Sequence, residues 1–68
     1  MKHFIFGDYV FTGIPNAFNN KIGYWISKKY YTRALYCFSV NNEKEAARHL
    51  DKHGIESYIS FFDSQHKH

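Results

Sequence analysis

Six aromatic rings and three cationic side chains fall within residues 24–38, YWISKKYYTRALYCF, and no acid interrupts them. Successive side chains of a strand point to opposite faces. The rings of Tyr24, Trp25, Tyr30, Tyr31, Tyr36 and Phe38 therefore cannot all share one buried side. A fold built on this stretch must cover two faces of a sheet, or leave one of them to another molecule.

Size sharpens the problem. The chain has 68 residues, and a domain near that length buries only about 60% of the surface its unfolded form exposes. Small domains offset this with disulfides, a metal, oligomerisation or large apolar side chains. Cys37 is the only cysteine, so no disulfide within the chain contributes. Aromatic residues make up 21% of the chain, and each ring buries roughly 150–250 Å². They are the expected supplement. A single thiol and the lack of a secretory pattern predict a reducing, cytoplasmic setting. The opening MKHFIFGDYVF begins with a cation and apolar residues, but Gly7 and Asp8 break it and no small-residue cleavage site follows. The longest apolar run, ALYCF, is far short of the ~20 residues that span a membrane. The expectation is one compact domain over 1–63 with a frayed tail, 64–68.

Local signals predict an α+β fold, with a three-stranded antiparallel sheet over about 2–12, 22–27 and 30–40 packed on a helix, 43–53. Phe, Ile, Tyr, Val and Thr mark the first strand, which Gly7-Asp8 divides into two short strands on an alternative reading. GIPNAFNN, 13–20, reads as the connecting loop from its Gly, Pro and Asn content. A two-residue Lys28-Lys29 turn would need positive φ at both lysines, so the hairpin is expected to turn over three or four residues covering Lys28, Lys29 and Tyr30. A three-residue loop would set Trp25 opposite Arg33 in a cation–π pair. The helix carries its own punctuation: Asn42 as N-cap, Glu45 placed for a capping box, Glu43 and Glu45 in the first turn, and Lys52 and His53 in the last. Gly54 is placed for a left-handed Schellman ending with Ile55 over Leu50. Residues 55–63 fit a second short helix through Ile55, Tyr58, Ile59 and Phe62, with Phe61 off the stripe. A fourth strand is the alternative.

Charge is ordered along the chain. Between Asp8 and Glu43 there is no acid, while Lys21, Lys28, Lys29 and Arg33 fall there. The aromatic half is the basic half. Cations that track phosphates beside rings that stack on bases are the composition of single-stranded nucleic-acid binders. The same cations on a solvated hairpin also keep a sheet edge soluble. VNNEKEAARHLD, 40–51, resembles the helix start of plant APETALA-type and integrase arm-binding domains, where a three-stranded sheet precedes one helix. That resemblance covers twelve residues. It implies a sheet entering the major groove, with Lys28, Lys29 and Arg33 about where that requires, although the arginine pattern of those families is absent.

Catalytic and metal chemistry are poorly supplied. His49 and His53 stand four apart on the predicted helix and could share a metal, with His3, His66, His68 or Cys37 as further ligands, but no CxxC or HExxH spacing exists. Cys37, mid-strand in LYCFS, reads as a buried, inert thiol. Neither paired carboxylates nor a glycine-rich phosphate loop is present. The sequence therefore predicts a non-enzymatic binding module with no cofactor, no metal, no small-molecule substrate and no membrane. Its partner is a protein or a second copy, with nucleic acid as the alternative. A third occupant of the uncovered face is the chain itself, with Ile14 and Phe18 folding back as a lid. The partner-binding residues expected are Trp25, Lys28, Lys29, Tyr30, Tyr31 and Arg33.

Overall fold

The computed structural model describes residues 2–65. Four strands precede two helices: β1 Lys2–Phe6, β2 Tyr9–Phe18, β3 Lys21–Lys28, β4 Leu35–Val40, α1 Glu43–His53 and α2 Ile55–Gln65. The strands form one antiparallel sheet in chain order. The α+β class stands, but the sheet has four strands rather than three. The stretch 2–12 is divided at Gly7-Asp8, the first strand ending at Phe6 and the second running on to Phe18. Residues 55–63 are helical, and α2 continues through Ser64 and Gln65. Of the expected tail, 66–68 lie outside the described residues.

Each hairpin is explained by its turn residues. Phe6 pairs with Tyr9 across Gly7-Asp8, and Gly7 has φ 61, the first central position of a type II′ turn. Phe18 pairs with Lys21 across Asn19-Asn20, whose φ values of 45 and 68 fit a type I′ turn. The segment expected as a loop, 13–20, is thus mostly strand. Its Pro15 and Asn16 sit in a bulge between Ile14 and Phe18, and Asn16 takes φ 58. Pairing with β1 reaches only to Gly13, so Pro15 lies where its missing N–H costs the ladder nothing on that side.

Between β3 and β4 the chain spans 29–34, longer than expected. Tyr31 N–H donates to the Lys28 carbonyl at 2.9 Å and Lys29 N–H to the Asp8 carbonyl at 2.8 Å. Tyr30 has φ 72, a conformation uncommon for a bulky residue. This loop moves the register: Trp25 pairs with Tyr36, not Arg33. The shift between Tyr24 and Trp25 leaves Cys37 as an extra residue in β4. A bulge of this kind reverses the facing of everything beyond it.

Both helices pack on one face of the sheet. Phe11, Tyr24, Ile26, Phe38 and Val40 from the strands meet Ala46, Leu50 and Phe62 from the helices, all buried. The α1 N-terminus is capped as expected by Asn42 Oδ1, which accepts from Glu45 N–H at 3.0 Å. Glu45 reaches back one residue further, accepting from Asn41 N–H at 3.0 Å. Gly54 has positive φ, 85, but its ψ of 122 leads the chain directly into α2. Ile55 therefore opens a helix instead of closing a Schellman turn. In α2 the predicted stripe faces inward: Phe62 is buried, Ile55, Tyr58 and Ile59 pack on the core, and Phe61 is exposed.

One core group is unsatisfied. Tyr24 is fully buried, and its hydroxyl oxygen has no hydrogen-bond partner among the described residues. An orphaned buried hydroxyl costs about 1–3 kcal/mol. Tyr24→Phe is expected to raise stability by ~1 kcal/mol, which moves the melting temperature of a domain this size by about 4–8 °C. A melting temperature that falls on this substitution would show that the hydroxyl has a partner.

Candidate functional site

Strand alternation and the register define the face that the helices leave bare. It carries His3 and Ile5 from β1, Val10, Thr12 and Ile14 from β2, Trp25 and Ser27 from β3, and Tyr36 and Ser39 from β4. None of these is acidic. The two bulges shape its centre. Past the β2 bulge, Phe18 stacks on Trp25 with centroids 6.1 Å apart and 20° between planes, and meets Tyr36 edge-on at 5.4 Å. Trp25 and Tyr36 close the triangle at 5.4 Å. The Cys37 bulge is what lets Tyr36 face this way while Phe38, two residues on, faces the core. Tyr36 is further held by a hydrogen bond to the Ser39 hydroxyl at 2.6 Å.

Phe18 thus does fold over Trp25, as the lid reading expected, but the lid is partial. Trp25 is half-buried. Phe18 remains 47% exposed, Tyr36 46%, Ile14 41% and Ile5 68%.

The six residues expected to bind a partner do not share this surface. Trp25 lies at its centre. Lys28 lies on the helix side, opposite Tyr9 in the ladder, with its ammonium 5.1 Å from the Tyr9 ring and 5.5 Å from the Tyr31 ring. Tyr9 Oη donates to both carboxylate oxygens of Asp63, at 2.8 and 2.9 Å. That bond raises the Tyr9 pKa, and the contact with Tyr9 raises that of Lys28. Tyr31 packs on Phe62 of α2, centroids 5.8 Å apart. Lys28 and Tyr31 therefore belong to the cluster that ties α2 to the sheet. Lys29, Tyr30 and Arg33 stand on the exposed β3–β4 loop, with Tyr30 91% exposed and Lys29 Nζ 5.3 Å above its ring.

Sequence reasoning did not assign Phe18, Tyr36, Ile14 or Ile5 to partner binding. The Asn19-Asn20 pair is the signal that would have recovered Phe18, because two residues that tolerate positive φ between apolar runs mark a tight hairpin. Nothing local marks the bulge that turns Tyr36 outward.

The remaining candidate chemistry is committed to packing. His49 Nε2 shares a hydrogen bond with Tyr58 Oη, and its ring stacks on Phe38 at 4.1 Å and lies 4.2 Å from that of His53. Burial, followed by the neighbouring His53 and Lys52, lowers its pKa. Among the described residues no group of three or more His, Cys, Asp or Glu is placed to hold a metal. His66 and His68 lie outside those residues. Burial pushes the Cys37 thiol up to about 11, so it is protonated at neutral pH. No helix among the described residues is long and apolar enough to cross a membrane. Compared with protein-family models, with curated proteins and with solved structures, the chain finds no match.

Proposed function

We infer that this protein is a small non-catalytic binding module that docks another protein on the bare face of its sheet. One observation carries the reading: both helices cover the same side, and the other side holds three interlocked, half-exposed rings among aliphatic residues with no acid. Contiguous exposed apolar surface of this kind usually marks an interaction site. Aromatic rings of fixed orientation make good anchors at interfaces, since they bury area with little loss of side-chain freedom.

Site-specific photo-crosslinking tests it. A photoreactive residue placed at Phe18 or Tyr36 is expected to give discrete protein adducts in cells, and one placed at Glu56 on α2 is not. An added Ile14→Lys should abolish the adducts. Equal adducts from all three positions, or none from the face, would contradict the reading. Trp25 is the only tryptophan and sits at the centre of the face, so its emission should move to the blue when a purified partner docks.

A second reading rests on the loop. Tyr30 projects almost free between Lys29 and Arg33, an arrangement suited to stacking on a base with phosphates nearby. Nucleic-acid binding there would weaken steeply with salt and disappear in the pair Lys29→Glu and Arg33→Glu. Absence of binding to single- and double-stranded oligonucleotides at low salt eliminates it.

A further inference from the structure

β4 ends the sheet, and among the described residues only β3 pairs with it. Its second edge presents backbone donors and acceptors that no strand pairs, and another extended chain can replace water along them. Natural edge strands are normally blunted by charge, proline or a bulge. β4, Leu-Tyr-Cys-Phe-Ser-Val, has no charge and no proline. Its one blunting feature is the bulge at Cys37, and Phe38–Val40 remain in regular pairing with β3. The opposite edge, β1, carries Lys2 and His3.

A groove of about 420 Å³ runs beside this edge, lined by Tyr36, Cys37, His53, Ser57, Tyr58 and Phe61. Its walls locate it. Tyr36 belongs to the bare face and packs on Trp25, whereas Tyr58 packs on Phe38 within the helical layer. Only the rim of β4 lies between the two layers. Phe61, 43% exposed, lies off the inward stripe of α2 and lines this groove.

We propose that the edge of β4 pairs antiparallel with β4 of a second copy, about a twofold axis perpendicular to the sheet. The occupant follows from the edge itself. A second copy supplies a strand with the same open edge and no charge, so no register sets like charges opposite one another. An isologous contact of this sort is the commonest way for one chain to associate with itself. The axis keeps both helical layers on one side and both bare faces on the other. The two grooves meet across the seam, each bringing an exposed Phe61. Two Tyr36 rings flank the seam on the far side, making one continuous aromatic surface. This pairing uses a different surface from the face-docking reading and does not depend on it.

Hydrogen exchange of the β4 amides, followed with light-scattering mass from micromolar to millimolar protein, tests the pairing. Expected is a dimer mass at high concentration, with those amides of Leu35–Val40 that point away from β3 exchanging about tenfold slower or more than in dilute protein. Phe61→Glu and Ser57→Glu each place like charges across the axis and are expected to abolish both effects while leaving the far-ultraviolet circular dichroism unchanged. A protein monomeric to millimolar concentration overturns the proposal. So does a dimer whose β4 amides exchange at the same rate at every concentration, or one that both variants leave intact. Should either variant fail to fold, the wild-type concentration series still decides. Trp25 emission separates the two surfaces. Self-association that shifts the emission without slowing β4 exchange places the contact on the face and refutes edge pairing. Slowed exchange with unchanged emission supports it.

Discussion

Replacing Phe62 by alanine is expected to leave the protein largely unfolded. Phe62 is the only fully buried residue of α2. Its ring meets Tyr9 edge-on at 6.1 Å and Tyr31 at 5.8 Å, so it joins the helix to β2 and to the β3–β4 loop together. Truncating a buried Phe to Ala costs about 3–5 kcal/mol through lost transfer energy and the cavity left behind. A chain of this length has roughly 3–10 kcal/mol of total stability. The two ranges overlap, so the loss is of the same order as everything that holds the fold. The control is the adjacent residue. Phe61 is off the inward stripe and exposed, and Phe61→Ala should change stability by no more than ~0.5 kcal/mol in dilute protein. Urea unfolding of both variants, followed by circular dichroism, makes the comparison. Similar midpoints for the two would mean that α2 does not dock as described.

Adding a single methyl group at Gly13 is expected to be costly in a position where local propensity predicts a gain. Glycine weakens a strand interior, and alanine there would ordinarily help. Gly13, however, lies beneath the Tyr24 ring. A Cβ built on it falls 2.7 Å from Tyr24 Cζ, 2.8 Å from Cε2 and 3.0 Å from Oη. The ring has little room to retreat, because Phe38 stacks on it at 5.1 Å and Phe4 lies 5.8 Å away. Overpacking of this kind costs typically 1–3 kcal/mol. Gly13→Ala should therefore lower the urea midpoint, and Gly13→Val should lower it further. Pairing Gly13→Ala with Tyr24→Leu removes the obstructing ring tip, and the two losses should then sum to less than their separate values. Strict additivity, or a Gly13→Ala variant as stable as the parent, would mean that Tyr24 does not cross the strand at this point. The glycine here is a packing requirement, since its backbone φ is an ordinary one.

These two results bear on function through the same sheet. Phe62 and Gly13 act on the covered face, so variants there report on whether the fold is intact. Ile14, Phe18 and Tyr36 report on the bare face, Phe61 and Ser57 on the edge. Of these positions Tyr36 borders two surfaces, packing on Trp25 and lining the groove beside β4, and each of the others alters one surface alone.

What the sequence determined by itself was local. Asn42, Glu45 and Gly54 delimit α1 because capping needs only a few neighbouring backbone groups. Residues 55–63 fit helical periodicity but leave a fourth strand open, and the structure decided for the helix. Rings in excess of what one helical layer covers were legible from counting alone. The tertiary structure decided which rings those are. A strand side chain's face depends on parity counted from the last turn or bulge, and one inserted residue inverts it. The single extra residue at Cys37 sends Tyr36 to the bare face while Phe38 faces the core, and the β2 bulge and its hairpin bring Phe18 onto Trp25. The longer β3–β4 loop carries Tyr31 to the helix side, where Lys28 already stands by alternation with Tyr24 and Ile26. Bulges form where packing on both faces favours them, and that balance is struck between segments far apart in the chain, out of reach of any local pattern.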